Sequence, residues 1–167
     1  MTWLIEQADE DPNWFLRYLT KKGRRRIIND PINGRPYMYR YHLFKNKNED
    51  DEQTGFNIFL HKIVQSDGRH LHDHPWNYAT LILKGGYWEN TPTGKFWRGP
   101  GSIRFNRAKN LHFIRLGSNN VEGRVEEIPC TTLFIRFKKK QDWGFLVNGS
   151  WIDSKIYFAG KYYLIEG

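Results

Sequence analysis

The chain has 167 residues and a mass of 20.0 kDa, enough for one domain of ordinary size. Its 26 Lys and Arg outnumber 18 Asp and Glu for a formal charge of +8, and seven Trp, nine Tyr and eleven Phe make it 16 % aromatic. That aromatic content excludes a disordered chain, and the single cysteine, Cys130, excludes an intramolecular disulfide or a cysteine-built zinc knuckle.

Taken in chain order, Met1-Thr-Trp-Leu-Ile-Glu lacks the basic start and apolar run of an export signal, so none is expected. Asp11-Pro12 predicts a helix N-cap with proline at the first helical position. Trp14, Phe15, Tyr18 and Leu19 follow at helical spacing, and Gly23 after Lys21-Lys22 is a stop. Turns are predicted at Asp30-Pro31 and Asn33-Gly34.

From Pro36 onward the pattern changes to short strands. Residues 37–44 and 56–63 alternate aromatic and polar side chains. Further strands are predicted at 77–83, 103–105, 111–116, 125–128, 131–137, 144–147 and 155–158. Turn clusters separate them at 66–68, 85–86, 91–94, 99–101, 117–120 and 148–150. Residues 45–54 are expected to be a disordered loop. The uncharged apolar runs, such as Ala79–Leu83, are strand-length, far short of the ~20 residues of a membrane helix. The pattern predicts an all-β sandwich or barrel, divided as a helical extension over 1–35 and a β-barrel over 36–167.

The positive charge falls mainly in two runs, Arg17 with Lys21, Lys22 and Arg24–Arg26, and Arg136 with Lys138–Lys140. These suit phosphate contacts, yet no helix-turn-helix, zinc-finger or RNA-recognition signature accompanies them. Solvated element ends are the favoured reading, with nucleic acid the less favoured partner. Nucleophile-elbow, phosphate-loop and dinucleotide motifs are absent too.

The six histidines carry the sharper signal. His70, His72 and His74 alternate, and side chains two apart on extended backbone share a face. Imidazole suits Zn, Cu, Fe and Ni, and His112 from a later strand would complete a set of three. His42 and His61 are lone strand histidines and read as structural. Cys130 reads as a buried or half-buried free thiol.

His72-Asp-His74-Pro75, followed by Ala79 and Gly86, is similar to the first motif of the cupin superfamily: His-x-His, three or four residues, Glu, six residues, Gly. The glycine is in place, whereas the glutamate position reads as Ala79. Gly101 and His112 hold the ends of the second cupin motif, with Arg107 and Lys109 replacing its proline and inner glycine. Over roughly residues 36–151, the runs 69–76, 81–87, 132–134 and 143–145 resemble small cupins of bacteriophages and bacteria. The resemblance implies a double-stranded β-helix (jelly-roll) barrel with a short N-terminal helical extension. It also implies a divalent metal on His72, His74 and His112, with His70 in reserve and Glu89 expected to face away. A three-histidine set without glutamate resembles thiol dioxygenases, which favours Fe(II), with Zn, Ni or Mn as alternatives, and oxygenation of a small molecule.

Strand parity makes Trp76, Tyr78 and Thr80 pocket candidates. Arg104 and Arg136 join them if they face inward, in which case the substrate is an anion. Two other functions stay open: a non-oxidative isomerase, epimerase or zinc hydrolytic site, and a binding module for a nucleotide or anionic metabolite. By analogy with cupins a homodimer paired through strand edges is expected. The expected location is the cytoplasm, the host's if the gene is a phage's, with no membrane association.

Overall fold

A computed structural model describes residues 13–44 and 55–165. Asp11, Pro12 and the expected loop at 45–54 lie outside the described residues. Asn13 is the N-cap instead: its Oδ1 accepts from the backbone N–H of Phe15 at 2.9 Å and Leu16 at 3.4 Å, opening helix α1 (Trp14–Lys21). The helix turns Leu16 and Leu19 inward against Tyr41 and Leu60, while Trp14 and Tyr18 stay exposed. The buried stripe is therefore the leucine pair, each contributing roughly 2 kcal/mol by burial. Gly23 takes the left-handed φ of +68° that ends the helix, as its position suggested.

The chain enters the sheet earlier than residue 36. Strand β1 (Arg25–Asn29) pairs antiparallel with β2 (Pro36–His42), so the expected helical extension contains an edge strand. There follow β3 (Asn57–Ile63), β4 (Trp76–Lys84), β5 (Tyr87–Thr91), β6 (Gly94–Arg98), β7 (Ile103–Asn106) and β8 (Phe113–Leu116). Next come β9 (Ser118–Val121), β10 (Arg124–Glu127), β11 (Cys130–Lys139), β12 (Gly144–Val147) and β13 (Ser150–Asp153). The expected turn at 117–120 is mostly strand β9, because the reversal comes later, at Glu122-Gly123, both with positive φ. The expected strand at 155–158 is helix α2 (Ser154–Ala159): consecutive apolar residues fit either state, and the Asp153 carboxylate, accepting from the N–H of Lys155 at 2.9 Å, decides it.

A six-stranded antiparallel sheet in the order β1-β2-β3-β11-β4-β7 faces a three-stranded sheet, β6-β5-β8. This is the expected all-β jelly roll. Ile63, Ile82, Cys130, Tyr87, Ile114 and Leu116 close one end of the space between the sheets. The β12–β13 hairpin and α2 form a separate apolar cluster, in which Phe145 stacks on Tyr157 at 3.7 Å. Between these two clusters the inner faces carry phenols, hydroxyls, imidazoles and a carboxylate beside Ile63, Ile114 and Phe134.

Candidate metal centre

The His72–His74 segment is held on both sides by backbone. His72 and His112 exchange two hydrogen bonds, at 2.9 and 3.0 Å, and Asp73 N–H donates to the Gly144 carbonyl at 3.1 Å. His74 N–H donates to the Ala108 carbonyl at 2.9 Å. Alternation then turns Asp73 away from the cavity, where its buried carboxylate accepts from the Gly144 N–H (2.7 Å), Gln141 Nε2 (2.9 Å) and Trp151 Nε1 (3.1 Å). Asp73 locks the segment, and the two imidazoles flanking it point inward.

His72, His74 and His112 thus offer three nitrogens within 4.8 Å of one another. His74 Nε2 and His112 Nε2 are at hydrogen-bond distance, 2.8 Å, close to the about 3.0 Å edge of an octahedral site with metal–nitrogen bonds near 2.1 Å. Burial lowers the pKa of His72 to about 4, partly countered by Asp67 and reinforced by His112. His74 too is held well below the ordinary value, by burial and then by the other two imidazoles. Both rings are neutral at pH 7 and so able to ligate.

Glu89 faces inward, against expectation, and is 2 % exposed. It shares the parity of buried Tyr87 on β5, the signal that could have placed it. Its Oε1 accepts from His112 Nδ1 at 3.2 Å, and its Oε2 accepts from Arg98 Nε at 2.8 Å. Burial alone would raise its pKa, but the hydrogen bonds from His112 and Arg98, with the charges of His112 and Arg104, bring it down to about 2. With the Nδ1 proton committed to Glu89, His112 aims the Nε2 lone pair at the cavity, as an outer carboxylate commonly does for a ligating histidine.

The cavity measures about 80 Å³ and lies between the two sheets. Tyr78 and Thr80 line it. Ala79 alternates to the other face, so a glutamate there would not reach the imidazoles. With the shorter motif spacing the position belongs to Tyr78, whose hydroxyl lies 3.3 Å from His112 Nε2. Tyr37, Tyr87, Thr132 and His61 add to the wall. His61 also has the structural role predicted for it: its Nε2 accepts from Arg40 Nε at 3.0 Å, and its ring stacks on Phe134.

The remaining candidates sit elsewhere. His70 shares the numerical parity of His72 but bonds the Tyr157 hydroxyl at 2.8 Å, outside the cluster. Trp76 stands one step beyond the cavity, its ring under the Arg136 guanidinium at 5.1 Å. Arg136 is buried between Trp76 and Phe59 instead of extending a solvated basic run. Arg104 turns to Glu89, at 3.5 Å. Among the described residues, no lysine or arginine lines the cavity.

One lining residue carried no sequence signal beyond a turn: Asp67. Its carboxylate accepts from the Tyr37 hydroxyl (2.6 Å) and the Ile114 N–H (2.7 Å), and lies 4.0 Å from His72 Nε2. Among the described residues no lysine or arginine pairs with that carboxylate. A half-buried carboxylate beside three converging imidazoles fits a cation between them.

Fold and site together define a small jelly-roll protein with a three-histidine cluster inside it. No family model matches the chain, and no curated protein matches it. Among solved structures, the polyketide cyclase RemF from Streptomyces resistomycificus aligns with a TM-score of 0.50 at 15 % identity, over 77 % of this chain and 82 % of its own. The Fe(II) form of HppE aligns with a TM-score of 0.48 at 12 % identity, over 69 % and 57 %. A cupin superfamily protein from Desulfitobacterium hafniense DCB-2 gives 0.42 at 14 %, over 68 % and 99 %. The likeness to RemF is one of fold: two antiparallel sheets facing each other as a jelly roll. Among the described residues no helix is long and apolar enough to cross a membrane.

Proposed function

We propose that this cupin is a mononuclear metalloenzyme that binds one divalent ion, Fe(II) by preference, on His72, His74 and His112, and oxygenates a small molecule. The observation that carries the reading is the convergence of three imidazoles beside the Asp67 carboxylate, with no carboxylate in the ligand set among the described residues. Bound Fe(II) would supply a Lewis acid with open positions for a chelating substrate and O2.

The chain's own groups do the rest. Glu89 orients His112, and Asp73 orients the His72–His74 segment. Burial pushes the Tyr78 phenol well above its ordinary pKa, so it remains a hydrogen-bond donor 3.3 Å from His112 Nε2. Asp67 accepts from a hydroxyl, thiol or amine brought beside His72. About 80 Å³ holds roughly five to eight waters, so the part of the substrate that enters has only a few heavy atoms. A wall of phenols, hydroxyls and one carboxylate favours a neutral or amine-bearing group over the anion that inward-facing Arg104 and Arg136 would have suited.

The test is elemental analysis of the purified protein, then anaerobic loading with Fe(II) and oxygen uptake with small thiols, amino acids and hydroxy acids. One metal per chain, lost in His74→Ala, with substrate-dependent oxygen uptake, is expected. Stoichiometric metal without oxygen uptake would move the reading to a non-oxidative cupin enzyme. Absence of metal binding at micromolar concentrations would overturn it.

A further inference from the structure

The outer face of the three-stranded sheet sets exposed aromatic rings beside cations. Cross-strand register sets two rows on it, Trp97–Trp88–Arg115 and Lys95–Asn90–Phe113. Trp97 and Trp88 are 46 % and 40 % exposed, with ring centroids 5.4 Å apart. Lys95 Nζ stands 4.7 Å from the Trp88 ring centre, and the Arg115 guanidinium 5.4 Å from that of Phe113. None of the six side chains is acidic.

Trp97 is seated, not merely exposed. A methyl group at Gly86, Gly99 or Gly117 would come within 2.6, 2.9 or 3.1 Å of its indole. Three glycines from separate parts of the chain therefore clear a floor for one surface ring. That floor fixes the indole while leaving much of it open to solvent. Arg115 is braced as well, donating one of its five N–H groups to the Asp67 carbonyl at 2.5 Å.

We infer that this face binds single-stranded nucleic acid, with bases stacking on Trp97 and Trp88 and phosphates meeting Lys95 and Arg115. Seated aromatic rings beside cations are what sequence-tolerant single-strand binding requires, since every base has a π-face and every linkage a negative charge. Two strand spacings, about 10 Å, separate Arg115 from Trp97, so the cations flank the rings instead of crowding one point. The net charge of +8 works in the same direction. A neutral sugar would use the indoles but leave both cations idle. This site is separate from the histidine cluster, on the opposite side of the same sheet, and does not depend on metal.

The test is fluorescence anisotropy of the full chain with fluorescein-labelled oligo-dT and oligo-U about 12 nucleotides long. Binding is expected at about 50 mM salt, weakening about 7-fold at about 200 mM if two phosphates are neutralised. Lys95→Glu with Arg115→Glu, two exposed positions, should weaken binding more than about 10-fold and flatten the salt dependence, with the fold retained by circular dichroism. Lys21→Glu with Lys22→Glu on α1 should change it less than about 3-fold. Three results would overturn the proposal: no oligonucleotide binding at the lower salt, loss of binding only in the α1 variant, or tryptophan quenching by a chitin oligosaccharide with no response to either oligonucleotide.

Discussion

Two groups of histidines sit close together in this protein, and their surroundings differ. On the wall formed by β2 and β3, His61 takes the Arg40 Nε–H, and His42 meets the Phe59 ring edge-on at 5.0 Å. At the other side of the cavity, His72, His74 and His112 mainly face one another, and only the outward Nδ1 of His112 is committed to a carboxylate. A buried histidine is cheap when a protein partner satisfies it, as Arg40 does for His61 Nε2. Rings turned toward a common point suit a cation that takes up their lone pairs. The difference between the groups lies in what the rings face: Arg40 and the Phe59 ring on one wall, one another on the other.

The most severe way to break the comparison is to remove one converging ring. His74→Ala or His112→Ala should weaken metal binding by more than about 100-fold, beyond the 10–100-fold typical of outer partners, while His61→Gln should keep one metal per chain by elemental analysis. Glu89→Gln comes next. It keeps the shape but withdraws the charge that holds His112 Nδ1–H, so titration calorimetry should show metal affinity falling about 10–100-fold.

Asp73→Ala tests the backbone side of the same cluster. It deletes three hydrogen bonds, so urea denaturation should show a loss of about 3 kcal/mol, and metal affinity should fall less than in Glu89→Gln.

The opposite wall makes a pH prediction. Burial, then Arg40 and His42, hold His61 well below the ordinary histidine pKa of 6.5. The unfolded chain therefore takes up a proton at that position as pH falls through 6.5, while the folded chain does not. The stability contribution is complete above pH 6.5 and declines below it, and the melting temperature should drop accordingly. The smallest effect is chemical: Cys130 is fully buried and burial pushes its thiol up to about 12, so thiol reagents at pH 8 should label it only after unfolding.

Much of this site was legible along the chain. Alternation of His72 and His74, with His112 at the motif separation, placed the cluster, and alternation put Tyr78 and Thr80 in its wall. Alternation also carries a clue to Glu89, through its parity with Tyr87, although a place three residues past the motif glycine predicts that it faces away. Parity misled at Trp76 because facing the right way is not the same as standing at the cavity. It misled at His70 because residues 70–74 are held by isolated bridges and do not form a continuous strand. Asp67 had no periodic context at all, being one residue of a turn.

What the sequence alone determined is what depends on neighbours along the chain: the strands, most turns, the α1 stop at Gly23 and the pairing of His72 with His74. The partner of each charge depended on the tertiary structure. Arg104 and Arg98 went to Glu89, Arg136 to the aromatic rings, and the outer sheet face kept Lys95 and Arg115. The reason is physical: local conformation follows backbone and side-chain preferences over a few residues. A buried charge is positioned by whatever compensates it, and that partner is brought in from far along the chain.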